Sequence, residues 1–404
     1  MQTGARYQAI LEILTEVFKD KTPADNIIND YIRSRKYIGS KDRRFITENC
    51  WNIIRNRLKL SFDTQSNDPR RILLYYIKDC LTEAFDDSSY GLSPLSEDEK
   101  LFLSHENDSP YPAYVEAECP DWIFKQINDI SFCKSLNEPA TTDIRAHNIE
   151  RTELQKKLLS EGIDTTFGGY SPYCLKINQR LVLNNCMAWQ DGFFEIQDEA
   201  SQIASLLIDA KPNHKIIDYC CGAGGKSLAL SNCLNNQGKI LAYDIDPKRL
   251  NAIKPRISRL KVKNIELTDI IADSDKDYDR FILDAPCSGS GTWRRSPDAK
   301  FRLTPEKLDS LVKTQAKLLE IAAQKTKVSE RIIYITCSIL HAENEEAITR
   351  FLQQHPNYAP INIRILWEQK ISAPYPCQSE IFLRMSPFTT QTDGFFVSVL
   401  ERQS

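Results

Sequence analysis

The sequence predicts an α/β protein: a doubly wound sheet in its C-terminal half, preceded by a small α+β unit and an all-helical N-terminal domain. Three observations carry that prediction. Strand and helix patterns alternate from about residue 190 to the end, as in successive βαβ units. Before about residue 133 apolar residues recur with helical period and strand signals are few. The apolar run Phe281-Ile282-Leu283 leads into Asp284-Ala285-Pro286-Cys287-Ser288-Gly289-Ser290-Gly291-Thr292, a buried strand followed by a turn cluster. The 404 residues exceed one ordinary domain, and the expected divisions are 1–135, 136–190 and 191–404.

Composition narrows the class. Hydrophobic content of 41% and charge of 26% fit a soluble globular chain. A net charge of −3 gives no global field that would draw nucleic acid. Locally, Arg33, Arg35, Lys36, Lys41, Arg43, Arg44, Arg55, Arg57 and Lys59 face only two acids, Asp42 and Glu48. Such a run is either a solvated helical face or an RNA-facing patch. Cysteines without framework spacing point to a reducing cytoplasm. Neither C-x-x-C nor H-E-x-x-H occurs, so no metal site is expected. No stretch reads as a signal peptide or membrane span. Nothing asks for an obligate partner, and a monomer is expected.

In chain order, Ile10, Leu11, Ile13, Leu14, Val17 and Phe18 predict the first helix. Further helices are expected over 49–60 and 72–85, and a short one from Asp121. Residues 86–112 are acidic and turn-rich, a long loop. The small unit should hold strands at 143–147, 174–177 and 181–183 and a helix over 152–161 closed by Gly162. The last unit begins with a helix over 199–210 and a strand at 216–219. Helix 226–234, strand 240–243, helix 247–260 and a strand near 265–267 follow. After the Phe281 strand come a helix over 305–327, a strand at 332–335, a helix over 342–354 and a closing strand at 395–399. Glu343, Glu345 and Glu346 would occupy the first turn of the 342–354 helix, its positive dipole end.

The chemistry sits where strands end, which is where open α/β sheets bind ligands. Gly222-Ala223-Gly224-Gly225 follows one strand and opens a helix, which suits a nucleotide-like ligand. Lys226-Ser227 suggests a P-loop, but that motif needs glycine where Cys220 stands, so ATP or GTP hydrolysis is disfavoured. Asp244 ends the next strand, where a carboxylate can accept both hydroxyls of a ribose. It could instead cap the next helix, a role open to Asp246 as well. Cys287 and Cys337 each follow a buried strand. A single cysteine is usually a small core hydrophobe, but two at matched strand ends beside a carboxylate permit nucleophilic catalysis by a thiolate. No histidine is placed as a base, since His341 belongs to the next helix.

Pro286-Cys287, Thr336-Cys337 and Asp218-Tyr219-Cys220 through Lys226 together resemble the RsmB/Nop2/NSUN family of RNA 5-methylcytosine methyltransferases. The resemblance runs from about residue 136 onward. It takes in Gly192-Phe193-Phe194-Glu195-Ile196-Gln197-Asp198-Glu199, Arg294-Arg295-Ser296-Pro297-Asp298, Glu343-Asn344-Glu345 and Asp393-Gly394-Phe395-Phe396. Gly39-Ser40-Lys41-Asp42-Arg43-Arg44, ahead of a helix ending in Arg55 and Arg57, is similar to the NusB-type domain of bacterial members that act on small-subunit rRNA.

The resemblance implies a Rossmann-like class I methyltransferase fold, a ferredoxin- or RRM-like small unit and an RNA-binding helical domain. It implies S-adenosylmethionine as cofactor and RNA as substrate, rRNA before tRNA. It implies that the Cys337 thiolate adds to carbon 6 of cytosine, that Cys287 helps remove the carbon-5 proton and that Asp284 hydrogen-bonds the base. Cys220, Cys221, Gly222, Ala223, Gly224, Gly225 and Lys226 would cradle the methionine portion. Asp244 would hold the ribose, Asp269 would lie by the adenine, and the target base must leave its stack. Three departures stand out. The family's Cys-Ala-Ala-Pro-Gly-Gly-Lys turn has Cys221-Gly222-Ala223 at its middle here. Its Arg-x-Asn is Arg145-Ala146-His147, and a histidine after Ser-Pro is Phe388. The last two bear on RNA contacts.

Two rivals remain. DNA cytosine-5 methyltransferases also use a Pro-Cys strand end, but there that thiol attacks and Cys337 would have no task. A non-catalytic RNA-binding assembly factor would not need the thiol pair and Asp284.

Overall fold

The computed structural model describes residues 1–85, 90–104, 107, 109–177, 179, 182–271 and 276–404. Contacts divide it into two units, Met1–Pro139 with Trp293–Thr304, and Ala140–Thr292 with Pro305–Ser404. Among the described residues no helix is long and apolar enough to cross a membrane.

The first unit is helical. Helix Thr3–Val17 buries Ile10, Ile13, Leu14 and Val17, whose three- and four-residue spacing forms one apolar stripe. It shares a core with helix Ser40–Arg55, through Ile46, Ile53 and Ile54, and with helix Pro69–Tyr76, through Ile72, Leu73 and Leu74. The helix expected over 49–60 therefore starts earlier and breaks at Asn56, whose φ of −101° and ψ of 21° leave the helical region. The one expected over 72–85 ends at Tyr76 and resumes only at Leu81–Ala84.

The segment Trp293–Thr304 folds with these helices, not with the sheet that flanks it in sequence. The Asp298 carboxylate accepts from Ala24 N at 3.0 Å. The buried Lys300 ammonium donates to Glu118 O at 2.7 Å and Asn137 Oδ1 at 3.0 Å. Arg55 donates to Asn137 O and Arg294 O. Buried charges must find partners, and these find theirs in the helical unit. A contiguous final domain over 191–404 is corrected accordingly.

The second unit holds two sheets. The smaller is antiparallel, in the order β2-β3-β1-β4, from β1 (Thr142–Ala146), β2 (Thr165–Phe167), β3 (Cys174–Ile177) and β4 (Phe194–Ile196). Ile144 pairs with Leu175, and Arg145 with Glu195. Helix Arg151–Ser160 covers it with Leu154 and Leu158. The small unit expected over 136–190 thus reaches β4 and belongs to the larger body. Of the strand expected at 181–183, residue 181 lies outside the described residues, and Leu183–Asn185 is a 3₁₀ turn.

The larger sheet comprises β5 (Lys215–Asp218), β6 (Lys239–Tyr243), β7 (Ile265–Thr268), β8 (Tyr278–Asp284), β9 (Thr326–Thr336), β10 (Tyr358–Pro360), β11 (Phe382–Met385) and β12 (Phe395–Arg402). Its order is β10-β12-β9-β8-β5-β6-β7, with β11 also on β12. The five strands β5 to β9 run parallel, and β10, β11 and β12 pair antiparallel. Ile216, Ile217, Phe281, Ile282, Ile332 and Ile333 are all buried, as continuous apolar strands in a covered sheet should be. The helix expected over 247–260 is two, Pro247–Asn251 and Lys254–Leu260. Pro255 lacks the N–H that would bond back to Asn251 and crowds its carbonyl.

Candidate active site

The chain order reverses between β5, which continues outward to β6, and β8 on its other side. Such a switch point leaves a crevice at the carboxyl ends of the strands. The Cys220–Lys226 turn follows β5, Asp244 follows β6, Asp284 ends β8 and Cys337 follows β9. They line a cleft of about 680 Å³, a size typical of ligand sites.

The turn is held from three sides. Cys221 N donates to Tyr243 O at 3.0 Å, and Gly224 N to Cys221 O at 2.8 Å. Gly224 has φ +80°, and a Cβ there would lie 1.9 Å from Ile253 Cδ1, so glycine is required. From behind, Gln197 Nε2 donates to Gly225 O at 3.2 Å and Arg256 to Ala223 O. Arg145 Nε braces Gln197 at 2.7 Å. Arg145 and His147 are each 1% exposed, so this motif supports the turn and does not meet solvent.

The Asp244 carboxylate accepts from Gly222 N at 2.8 Å and Asp246 N at 2.9 Å, while Asp246 accepts from Lys248 N. The cap is therefore Asp246, and Asp244 faces the cleft. Asp218 is wholly buried. One oxygen accepts from Ser227 Oγ at 2.6 Å, the other has no hydrogen-bond partner among the described residues, and burial pushes its pKa up to about 7. Lys226 Nζ lies 2.7 Å from Asp284 Oδ2 and 5.1 Å from the Phe395 ring centre.

Cys287 Sγ and Cys337 Sγ are 3.4 Å apart. The Cys337 sulfur, then burial, then the Glu343 charge hold the proton on Cys287, raising its pKa well above the ordinary value. Burial also pushes up Cys220 and Cys221, which fits thiols that pack. His341 is exposed and paired with Glu345, in a 3₁₀ turn His341–Glu343. The helix expected over 342–354 begins only at Glu345, because Asn344 has φ −114° and ψ −103°. Glu343 thus leaves the dipole position expected of it and turns into the core.

Asp269 follows β7, exposed and outside the cleft lining. The residues at that rim are Tyr243, Ile245 and Arg249. Thr314, Leu318 and Ile321 also line the cleft, from helix Pro305–Lys325. Their spacing of four and three residues was the available signal for a shared face. Elsewhere the buried Asp143, Cys174 and Glu199 lie together, but the Lys176 ammonium already sits 3.2 Å from Asp143 and 3.1 Å from Glu199.

Residues 205–401 match the family model described as 16S rRNA methyltransferase RsmB/F. The probable ribosomal RNA small subunit methyltransferase B of Bacillus subtilis is 27% identical over 72% of this chain and 67% of its own length. The 28S rRNA (cytosine-C(5))-methyltransferase of Mus musculus is 34% identical over 53% of this chain and 48% of its own. The crystal structure of PH0851 superposes with a TM-score of 0.75 over 99% of both chains, at 23% identity. The sheet with its switch-point cleft is thus that of a Rossmann-like methyltransferase. Over residues 205–401 the chain is similar to the RsmB/F methyltransferases.

Proposed function

We propose that the chain transfers a methyl group from S-adenosylmethionine to carbon 5 of a cytosine in small-subunit rRNA. The observation that carries the reading is the sulfur pair, 3.4 Å apart in a cleft that also holds Asp284 and Lys226. The names of the Bacillus and mouse relatives support an rRNA substrate.

The residues suit the cofactor. The glycine turn opens helix Gly225–Cys233, and Asp244 keeps lone pairs for ribose hydroxyls. When bound, S-adenosylmethionine supplies an electrophilic methyl on a sulfonium. Cys220 to Lys226 would hold its methionine portion and Asp244 its ribose.

Carbon 5 of cytosine is a weak nucleophile. Addition of the Cys337 thiolate to carbon 6 makes it the nucleophilic carbon of an enamine. Asp284, oriented by Lys226, hydrogen-bonds the base edge as charge builds on the ring. Once the Cys337 charge is spent in a C–S bond, the charge that helped hold the proton on Cys287 is gone. Cys287 can then release its own proton to solvent and, as a thiolate, take the carbon-5 proton, and elimination of the Cys337 thiolate restores the base. The same held proton disfavours Cys287 as the attacking thiol, as the DNA enzymes would require.

Bisulfite sequencing of total RNA from cells with and without the protein tests the proposal. One small-subunit rRNA cytosine should lose protection when the protein is absent. Loss confined to tRNA would overturn the substrate, and no loss anywhere would overturn the reaction.

A further inference from the structure

Glu343 is fully buried and does not line the cleft, yet it touches both thiol loops. Its Oε1 accepts from Ser288 N at 2.8 Å and from Gln315 Nε2 at 3.0 Å. Its Oε2 accepts from the hydroxyls of Ser288 and Ser338. Ser288 follows Cys287, and Ser338 follows Cys337. Gln315 Nε2 also donates to Pro286 O at 3.0 Å, tying in the residue before Cys287. On the other loop, Asn344 accepts from Thr336 Oγ1 at 2.6 Å and donates to Ser338 O at 2.9 Å, and Tyr334 OH donates to Glu343 O at 2.7 Å. Each cysteine is therefore flanked on both sides by residues that this corner of the chain holds.

We infer that Glu343 is a positioning residue: its carboxylate staples the Cys287 loop to the Cys337 loop and keeps both sulfurs within reach of one target base. The inference rests on the methyl-transfer reading for its purpose, though not for its geometry. A carboxylate suits the task for two reasons. Charge-assisted hydrogen bonds are stronger than neutral ones, and four of them offset the cost of burying the charge. With all four directions taken and the cleft beyond reach, Glu343 has no lone pair aimed at a substrate. Its negative charge has a second effect, since it is among the groups that hold the proton on Cys287. The backbone adds a closer lock: Gly291 N donates to Cys337 O at 2.9 Å, and Gly394 N to Gly291 O at 2.8 Å.

Two variants of the full chain separate reach from charge. Glu343→Gln keeps the reach, because Oε1 can still accept from Ser288 N and Gln315 while the serine hydroxyls reverse to accept from the amide. Glu343→Asp keeps the charge but falls short by one methylene, about 1.5 Å. Diamide oxidation reads sulfur proximity directly: the two thiols give up two electrons and two protons, diamide becomes the hydrazine, and the Cys287–Cys337 peptide pair is counted by mass spectrometry. In Glu343→Gln the rate should stay within about threefold of wild type, and in Glu343→Asp it should fall about tenfold. With small-subunit rRNA as substrate, Glu343→Asp should lose about 100-fold in kcat with KM little changed, and Glu343→Gln should recover most of it. S-adenosylhomocysteine binding, followed by calorimetry, should be unaltered in both.

Cross-linking as fast in Glu343→Asp as in wild type overturns the inference, as does Glu343→Gln slowed as much as Glu343→Asp. Loss of S-adenosylhomocysteine affinity in both variants also overturns it, since Glu343 would then merely hold the core. If the wild type methylates no RNA, the proposed function fails, and the cross-linking rates still decide the staple.

Discussion

Cys287 and Cys337 occupy matched strand ends, but their surroundings differ. Cys287 keeps its proton while the Cys337 sulfur and Glu343 stand beside it, and the proposed mechanism accordingly gives the first attack to Cys337. Cys337→Ala should abolish methyl transfer and leave S-adenosylhomocysteine binding intact, as transfer of labelled methyl to rRNA and calorimetry would read. Cys287→Ala should let the adduct form but not resolve, giving a protein–RNA band that survives a denaturing gel; clean turnover would remove its release role. Asp218 gives a prediction about stability. Its pKa rises from 3.8 unfolded to about 7 folded, through burial. Between those values the folded chain binds a proton that the unfolded chain has lost, so stability falls as pH rises. Asp218→Asn abolishes that slope. Its melting temperature relative to wild type should therefore climb from pH 4 to pH 7 and then level off, and a constant difference would show that Asp218 titrates normally.

Strand ends were the legible part of this sequence, because an apolar run followed by a polar turn marks a buried parallel strand without help from elsewhere. Asp244, Asp284, Cys287 and Cys337 were found that way. Strands of three residues, such as β2, β4 and β10, lie below what alternation can reveal. Glu343 read as a helix dipole residue, since nothing local says that Asn344 delays the helix. Thr314, Leu318 and Ile321 needed the helix to be set against the sheet before their face meant anything. The basic run from Arg33 to Lys59 mixes two kinds of residue that look alike in sequence. Arg57 pairs with Asp20 at 2.7 Å and lies between the Phe18 and Phe301 rings, and Arg55 holds backbone carbonyls. Arg33, Lys36, Lys41 and Arg44 are exposed. Changing Arg33, Lys36 and Lys41 to Ala should weaken rRNA binding and flatten its salt dependence, by ~0.7–0.9 in log–log slope for each phosphate that is no longer neutralised. An unchanged slope in filter binding would leave these residues as solvated surface.

At the level of the whole molecule, the chain leaves the methyltransferase unit at Trp293, shortly after Cys287, and returns at Pro305. The excursion is held by the N-terminal helices through Asp298 and Lys300. In sequence these charges resemble surface residues, since lysine is rarely buried without a partner, and contiguity alone assigned them to the sheet. The helical unit is therefore completed by a segment from far along the chain, and its stability depends on that segment's buried charges. Lys300 allows this to be measured. Burial lowers its pKa from 10.5 to about 8. Over that window the unfolded chain binds a proton that the folded chain does not, so wild-type stability rises with pH, by at most about 1.4 kcal/mol per pH unit. Lys300→Met removes the titration and leaves Glu118 O and Asn137 Oδ1 without their donor. The wild-type melting temperature minus that of Lys300→Met should therefore grow from pH 8 to pH 10. A difference that stays constant from pH 8 to pH 10 would show that Lys300 keeps its ordinary pKa in the folded chain.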